Sequence, residues 1–257
     1  MTDLFISQEI IDFNYPSQKK SVSNVIMEAP VDISVNSKYW LTLMCSPTSL
    51  EELATGFLFN EGVINSQDEI KLIDICDDKT SIDIWLNHSV EFPEKWQRTS
   101  GCTGGSTSVT SIDLPKLDPP EIQVSSSTIT SLINQLLENQ DLYMISGGVH
   151  SSALSNGENL LVVMEDIGRH NTLDKIAGWV LTKKGISQNC IILTTGRISS
   201  EMLQKSIRIG ASIVVSRTSP SSLALKMAQE SGVCLIGYAR NNRFRIYTHD
   251  EYISFSG

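Results

Sequence analysis

The chain has 257 residues, 40% of them apolar, which is enough for one large domain or two smaller ones. It carries 29 acidic and 20 basic residues and has a net charge of −9. A nucleic-acid backbone is bound by a clustered positive field, so this charge argues against nucleic acid as a partner. No apolar run approaches the roughly 20 residues that cross a bilayer, and the first residues are not basic enough for a signal peptide. We therefore expect a cytoplasmic protein that does not bind membranes.

The first part of the chain is rich in predicted strands. Residues 1–22 are polar and show no period, which predicts a loosely held lead-in. Asn36-Ser-Lys38 has the character of a hairpin turn. Thr48 and Glu51 have the spacing of a capping box, in which two side chains satisfy the first free amides of a helix. The resulting α+β unit is predicted to contain, in chain order, strands at 31–35 and 39–45, a helix at 49–60 and strands at 70–75 and 80–86.

A long loop is predicted between about residues 92 and 122, where proline, serine, threonine and glycine accumulate. Cys102 lies in it between Gly101 and Thr103-Gly-Gly105, where the backbone is free to expose the thiol. A free thiol has a pKa of about 8.5, and positive charge such as that of Arg98 lowers the pKa and yields the nucleophilic thiolate. The residues alone leave two interpretations open, a reactive cysteine and an ordinary exposed cysteine.

The cysteines form an odd set with no two close together, which fits neither a disulfide framework nor a zinc ribbon. Cys45, Cys190 and Cys234 lie in apolar, strand-like runs and are expected to be inert core residues. Cys76 precedes two aspartates at a strand end and has no evident activator. A reducing cytoplasm agrees with this distribution.

The second half alternates apolar runs with helical patterns, beginning with an amphipathic stripe from Ile129 to Leu137. This alternation predicts an α/β fold with a largely parallel sheet covered on both faces. We expect two domains, a small α+β domain at 1–110 that ends in the Cys102 loop and an α/β domain at 111–257. The predicted strands are 142–146, 159–164, 190–194, 211–216, 233–238 and an edge strand at 243–249, and the predicted helices following the stripe are 171–182, 199–209 and 221–231.

Segments that follow the predicted strands carry glycine, histidine, arginine and hydroxyl groups. Strand ends of a parallel sheet share one edge, where ligands bind, and glycine lets the backbone approach a ligand. The first amides of a helix can hold an anion, with Asn171 as a candidate N-cap, whereas Asp174 and Lys175 are expected on a solvated helix face. The pattern suits a phosphorylated ligand. Each motif alone also fits an ordinary turn. The candidate residues are Gly147, Gly148, His150, Arg169, His170, Thr195, Gly196 and Arg197.

The segment after the last predicted parallel strand adds two arginines. Arg240 and Arg243 lie in Gly237-Tyr-Ala-Arg-Asn-Asn-Arg243, and guanidinium groups bind carboxylates or phosphates through paired hydrogen bonds. A simple basic turn is the alternative interpretation.

Several ordered blocks are more specific than any single motif. They are Asn60-Glu-Gly-Val63, Ser100-Gly-Cys102, Gly147-Gly-Val-His-Ser151, Glu165-Asp-Ile-Gly-Arg-His-Asn-Thr-Leu-Asp-Lys175, Thr195-Gly-Arg-Ile-Ser-Ser-Glu-Met202, Ser219-Pro-Ser-Ser-Leu-Ala224 and Tyr247-Thr-His249. In this order they resemble the formate dehydrogenase accessory sulfurtransferase family, FdhD, over about residues 24 to 250.

The resemblance implies a function. Members take persulfide sulfur from a cysteine desulfurase and pass it to bis-molybdopterin guanine dinucleotide, the cofactor of formate dehydrogenase, so Cys102 is expected to carry the persulfide. The cofactor is then a bound substrate, and no tightly bound metal is expected. The resemblance also implies a homodimer and a C-terminal α/β/α layered domain like that of cytidine deaminases. The segment implied to hold the guanine nucleotide is Tyr238, Ala239, Arg240, Asn241, Asn242 and Arg243.

One departure from the family pattern limits the mechanism. Many members have a Cys-x-x-Cys pair in this loop, whereas Gly105 stands three residues after Cys102, which indicates a relay through one cysteine. A second hypothesis is a chaperone that inserts the cofactor without cysteine chemistry. A third is a zinc hydrolase on a deaminase-like fold, but His150 has Ser152 where such enzymes have glutamate, and the paired cysteines are absent from the sequence.

Overall fold

The computed structural model describes residues 4–91, 114–121, 123–183 and 189–255, and the backbone of 97–98 and 106–107. Cys102 and the side chain of Arg98 lie outside the described residues. The helices of the described part are α1 (Leu50–Asn60), α2 (Ser126–Glu138), α3 (Asp141–Ser146), α4 (Arg169–Thr182), α5 (Ser200–Arg208) and α6 (Ser222–Ser231). Its strands are β1 (Phe5–Asn14), β2 (Ser17–Ile26), β3 (Ala29–Val35), β4 (Lys38–Cys45), β5 (Ile70–Ile75), β6 (Ser81–Leu86), β7 (Gln97–Arg98), β8 (Ser106–Thr107), β9 (Val124–Ser125), β10 (His150–Ser155), β11 (Leu160–Asp166), β12 (Cys190–Thr194), β13 (Ala211–Ser216), β14 (Cys234–Arg240), β15 (Arg243–Ile246) and β16 (Ile253–Ser254).

The N-terminal segment is an ordered ribbon, in which β1 and β2 pair antiparallel over their full length. The prediction of a loosely held lead-in is therefore wrong for residues 5–22. Both faces of the ribbon are largely exposed, so its sequence does not need the strict apolar and polar alternation that marks a half-buried strand. At its base, Ile26 is buried against Gly148, where an added Cβ would come within 3.1 Å of the Ile26 side chain.

The small α+β unit is confirmed. Its sheet has the order β4-β3-β6-β5, and helix α1 packs against it. The β3–β4 hairpin turns at Asn36 and Ser37, both at positive φ, as the twist-matched two-residue turn requires. The predicted capping box does not form. Ser49 is the N-cap of α1 and makes no side-chain capping bond, and the Thr48 hydroxyl accepts a hydrogen bond from Lys175 Nζ at 3.1 Å.

The main sheet of the described part has the order β11-β10-β12-β13-β14-β15. Strands β12, β13 and β14 are parallel, and the other neighbouring pairs are antiparallel. The prediction of a largely parallel sheet is therefore correct for β12, β13 and β14 and wrong for the other strands of this sheet. The strand predicted at 142–146 is helix α3, and β10, which begins at His150, was not predicted. His150 thus stands at the start of a strand, and the prediction that it follows a strand end is wrong. Strand β15 lies at the sheet edge, as predicted.

Helices cover the main sheet on both faces. Aliphatic residues of α2, such as Leu132, pack with Ile191 and Val215 on one face. Residues of α4, α5 and α6, such as Ile176, pack with Ile192 on the other face. The expected covering of both faces is confirmed, whereas the likeness to cytidine deaminases stays a prediction. Within the described residues, no helix combines the length and apolar character needed to span a bilayer.

One hydrophobic core connects the small unit to the main sheet through helices α1 and α4. The two helices cross at glycines, because a Cβ on Gly56 would come within 1.8 Å of Asp174 O and one on Gly178 within 2.0 Å of Glu52 O. The division at residues 1–110 and 111–257 stays a prediction, and across it the described parts pack as closely as elements of a single core.

Candidate functional site

Polar and basic residues gather at one edge of the main sheet. The strand register brings the start of β10 to the ends of β11 and β12, because His150 pairs with Asp166 and Ser152 with Thr194. Thr194 also pairs with Ser216 at the end of β13. The edge predicted from parallel strands therefore exists, although antiparallel pairing of β10 builds part of it.

A pocket with a volume of about 390 Å³ opens at this edge. Of the predicted residues it includes Gly147, Gly148, His150 and Thr195. Pockets that hold small ligands have volumes from about 300 to 1,000 Å³, so this one has room for a ligand no larger than a single nucleotide. The other lining residues were not predicted, and they are Gln140, Tyr143, Val149, Ile167 and Arg217.

The backbone amides predicted to approach a ligand are engaged within the protein. Gly147 N donates to Tyr143 O at 2.7 Å, and Gly148 N donates to Ser146 Oγ at 3.2 Å. Thr195 N likewise donates to Ser151 O at 2.9 Å. An anion in the pocket must therefore be bound mainly by side chains.

His150 is half-buried beside several charged and titratable groups. Burial lowers the pKa of His150 below its usual range, and the positive charge of Arg169 lowers it further. His170 and Arg197 act in the same direction, whereas Asp166 opposes them. The imidazole is therefore neutral at pH 7 and provides one hydrogen-bond donor and one acceptor.

His170 lies in the first turn of α4 and is held from the neighbouring helix. Its Nε2 is 3.1 Å from Glu201 Oε2 and 3.3 Å from Ser199 Oγ. Burial lowers the pKa of His170, and the hydrogen bond to Glu201 partly opposes this effect. The pair joins the N-termini of α4 and α5 beneath the sheet edge.

Arg169 and Arg197, the arginines predicted after the ends of β11 and β12, differ in exposure. Arg169 is buried, and its aliphatic part covers Gly196, where an added Cβ would lie 3.0 Å from Arg169 Cβ. Arg197 is exposed. Gly196 is therefore needed for close packing of Arg169 over the β12–α5 turn.

A buried polar network supports this edge from below. Lys175 Nζ lies 2.7 Å from Asp166 Oδ2, and both side chains are fully buried. Lys175 Nζ also donates to Ser46 O at 3.3 Å and to Glu165 O at 3.0 Å. Asp166 accepts from Ser46 N at 3.1 Å. The network holds the β4–α1 connection against the β11–α4 loop, directly before Arg169.

The buried position of Lys175 and Asp174 corrects the prediction of a solvated helix face. Asp174 is paired with Lys205 and accepts a hydrogen bond from Asn60 Nδ2 at 2.7 Å. Local sequence predicts a solvated face because charged residues are mostly exposed. The crossing of α1 over α4 buries this face and supplies the partners.

Asn171 does not cap α4, which is a further correction. The N-cap is Gly168. Asn171 Nδ2 donates instead to Asp166 Oδ1 at 2.8 Å and to Met44 O at 2.9 Å, and Gly168 N donates to the same Asp166 oxygen at 2.8 Å. A carboxylate therefore already lies against this helix N-terminus and disfavours a second anion there.

The segment 238–243 forms the hairpin between β14 and β15. Asn241 and Asn242 make the turn at positive φ, so Arg240 and Arg243 pair directly across it with both side chains exposed. Like charges in this position repel each other, and a bound anion relieves the repulsion. The hairpin extends the basic edge beyond β14.

The two remaining predicted residues of the hairpin have different environments. Tyr238 also has positive φ, and Arg245 stacks over its ring at 4.6 Å. Ala239 is 1% exposed and packs in the core. Ala239 therefore offers almost no surface to a ligand.

The cysteine predictions are confirmed for the core residues. Burial raises the pKa values of Cys45, Cys190 and Cys234 to about 12 each. Cys76 lies in the β5–β6 turn, where its thiol donates to Asp78 Oδ1 at 2.8 Å. Cys102 lies outside the described residues. Within the described part, no group of three histidine, cysteine or acidic side chains is close enough to hold a metal ion.

Arg217 is the one basic pocket residue of the described structure that is not among the predicted residues. It follows strand β13 directly, which is the pattern of strand and then basic residue that identified Arg169 and Arg197. The position of Arg217 directly after a strand is therefore the sequence signal that indicates it. No local signal identified Gln140 and Tyr143, because they reach the pocket through the packing of the unpredicted helix α3.

These features define an α/β protein with polar and basic side chains at one edge of its main sheet. The sequence model of the FdhD/NarQ family matches residues 26–254, and the chain belongs to this family.

Relatives of known name or structure agree with this assignment. The chain is 38% identical to the sulfur carrier protein FdhD of Bacillus pumilus, with 90% of each chain covered. It is 32% identical to the protein of the same name from Staphylococcus aureus strain MRSA252, with 98% of this chain and 97% of the relative covered. A crystal structure of a putative formate dehydrogenase accessory protein from Desulfotalea psychrophila matches with a TM-score of 0.79 and 31% identity, covering 98% of this chain and all of that one.

Proposed function

We propose that this chain is a sulfurtransferase that supports formate dehydrogenase. It accepts persulfide sulfur from a cysteine desulfurase on Cys102 and passes the sulfur to bis-molybdopterin guanine dinucleotide. Family membership supports the general role, as do the relatives named sulfur carrier protein FdhD and formate dehydrogenase accessory protein. The cofactor is the substrate of the transfer, and we propose that the cytoplasmic homodimer implied by the family resemblance carries it out.

The observation that carries this proposal is the environment of the other cysteines. Cys45, Cys190 and Cys234 are buried, and their raised pKa values keep them as thiols, which are poor nucleophiles. The Cys76 thiol is engaged in the β5–β6 turn, where it donates a hydrogen bond to Asp78 Oδ1 at 2.8 Å. Among the five cysteines of the sequence, these constraints favour Cys102 as the carrier.

The loading step exchanges one sulfur–sulfur bond for another. The Cys102 thiolate attacks the outer sulfur of the persulfide on the donor enzyme, whose cysteine leaves as a thiolate. A new sulfur–sulfur bond forms on Cys102, so the step involves no net oxidation. Delivery to the cofactor as sulfide then requires two electrons from a thiol reductant. Gly105 replaces the second cysteine of the usual pair, so that thiol must come from another molecule.

The sheet edge is the proposed binding site for one guanine nucleotide end of the cofactor. The pocket beside His150 and the hairpin arginines Arg240 and Arg243 lie on the same edge, and the protein otherwise has a strong negative charge. The pocket volume of about 390 Å³ suits one end of this large cofactor and not the whole.

Sulfur loading tests the proposal directly. Incubation with a cysteine desulfurase and cysteine is expected to add one sulfur to the protein, located on Cys102 by peptide mapping. Cys102→Ala should lose this sulfur, and Cys76→Ala, the matched control, should keep it. Loading that persists in Cys102→Ala and maps to Cys76 would contradict the assignment.

The cofactor chaperone remains the alternative hypothesis because the basic edge can bind a cofactor without any cysteine. Cells whose only copy carries Cys102→Ala distinguish the two functions. A sulfurtransferase loses nearly all formate dehydrogenase activity under these conditions, whereas a chaperone supports normal activity.

A further inference from the structure

Arg217 occupies a central position in the row of strand ends. Its amide donates to Thr194 O at 3.1 Å, which places it beside the end of β12. On the other side, Tyr238 N donates to Thr218 O at 3.0 Å, which places β14 next to it. Arg217, which lines the pocket, therefore lies between the ends of β12 and β14 and next to the hairpin.

No described part of the protein supplies a counterion for Arg217. Within the described part of the chain, no carboxylate lies within ion-pair distance of its guanidinium group. Its Nε is also buried without a hydrogen-bond acceptor there. A buried donor left in this state costs stability. The arrangement is explained when a ligand supplies the acceptor.

Arg208 shows how the fold treats a comparable arginine away from this edge. Its Nε is likewise buried without a hydrogen-bond acceptor among the residues that the structure describes. Its guanidinium group, however, stacks on the Phe59 ring at 4.8 Å, and the charge of Glu61 acts on it. Arg208 is thus compensated by the protein, whereas Arg217 faces the pocket.

The neighbours of Arg217 specify the ligand chemistry. The backbone amides of Gly147, Gly148 and Thr195 are already used, so the pocket has no cradle of free amides at these residues. His150 is neutral and adds at most one donor. Arg217 is therefore the strongest donor among the side chains that line the pocket, and its planar guanidinium group matches two oxygens of a phosphate.

We propose that Arg217 binds a phosphate of the guanine nucleotide end of the cofactor and is the residue that distinguishes a phosphorylated ligand from an unphosphorylated one. The identity of this ligand rests on the proposed function. Arg240 and Arg243 then lie at the outer side of the same ligand, where water screens their charge.

Calorimetric binding of GMP and guanosine to the full chain tests this proposal. Wild-type protein should bind GMP more tightly than guanosine. Arg217→Met should weaken GMP binding by at least about tenfold and leave guanosine binding unchanged, because a charged hydrogen bond is lost. Arg217→Lys keeps the positive charge but loses the planar guanidinium group, so its GMP affinity should lie between those of the wild type and Arg217→Met. It also provides the measurement if the methionine variant does not fold. Lys226→Met, on the exposed face of α6, is the control and should bind both ligands as the wild type does.

The outcomes separate this inference from the proposed function. A preference for GMP that survives in Arg217→Met and Arg217→Lys overturns the role of Arg217 and leaves the cofactor site standing. If the wild type binds neither GMP nor guanosine, the guanine site fails, and inorganic pyrophosphate becomes the probe. If the wild type binds pyrophosphate and Arg217→Met does not, the anion site at Arg217 is supported. If the wild type and Arg217→Met bind pyrophosphate equally, the anion site is overturned.

Discussion

The buried charges of and around helix α4 are neutralised by partners within the protein, and the charge that lines the pocket is not neutralised within the described structure. Lys175 is completely buried, yet it has the carboxylate of Asp166 at 2.7 Å and further oxygen acceptors. Arg217 has no carboxylate partner in the described structure, and it lines an open pocket. Because a buried charge is tolerated only when it is paired, the first group is complete without a ligand, whereas the second gains from binding an anion. Substitutions in the buried charge network of α4 should therefore change the stability of the protein, and substitutions around the pocket should change the binding of an anionic ligand.

The largest expected effect is on stability. Lys175→Met leaves the buried carboxylate of Asp166 without its cation and should lower the free energy of unfolding by about 3–5 kcal/mol, as measured by urea denaturation. The double variant with Asp166→Asn should recover part of this loss because it removes the unpaired charge. Lys226→Met is the exposed control. A loss of less than about 1 kcal/mol in Lys175→Met would erase the contrast between the two regions.

A smaller effect is expected from pH on binding. The charged and titratable groups that face His150 are Arg169 and His170 from α4, Asp166 from β11, Arg197 after β12 and, in the same pocket, Arg217. Together with burial, they give a pKa below the usual range in the free protein. A phosphate favours the protonated imidazole and raises this pKa, so the complex takes up a proton and binding tightens as the pH falls.

The size of this pH effect is at most about tenfold per pH unit for a single group. Because the ligand phosphate also titrates, the ratio of GMP affinities of the wild type and His150→Gln should be followed between pH 8 and about pH 5.5. The ratio is expected to rise toward low pH. A constant ratio would show that His150 keeps its charge state on binding.

The smallest effect is expected at the hairpin. Arg243→Ala removes one of two like charges that pair across the turn, and its side chain is exposed. Exposed charge contacts contribute about 1 kcal/mol or less, so guanine nucleotide binding should weaken by no more than about fivefold. Lys226→Ala should have no effect in the same calorimetric titration. Equal affinities of the two variants would remove the hairpin from the binding site.

Periodic and locally determined features were predictable from sequence. Strands β5, β12 and β13 were predicted to the residue, and α4, α5, α6 and β11 were found with small shifts at their ends. Leu142–Ser146 was assigned to a strand because a short apolar run does not distinguish a strand from a helix. Glu165 completes this helix from a distance, since its carboxylate accepts from the amides of Leu142 and Tyr143 at 2.6 and 3.1 Å. Such a cap is not visible in local sequence.

The sequence by itself determined the family, the α/β alternation, the core cysteines and most of the basic residues at the sheet edge, because these depend on residue type and spacing. Tertiary structure alone decided which charges are paired. Asp174 and Lys175 look like solvated helix residues until α1 crosses over α4, and Arg217 looks like an ordinary turn residue until β12 and β14 enclose it. The physical reason is that the cost of a charge depends on its burial and its partners, and both are set by segments distant in sequence.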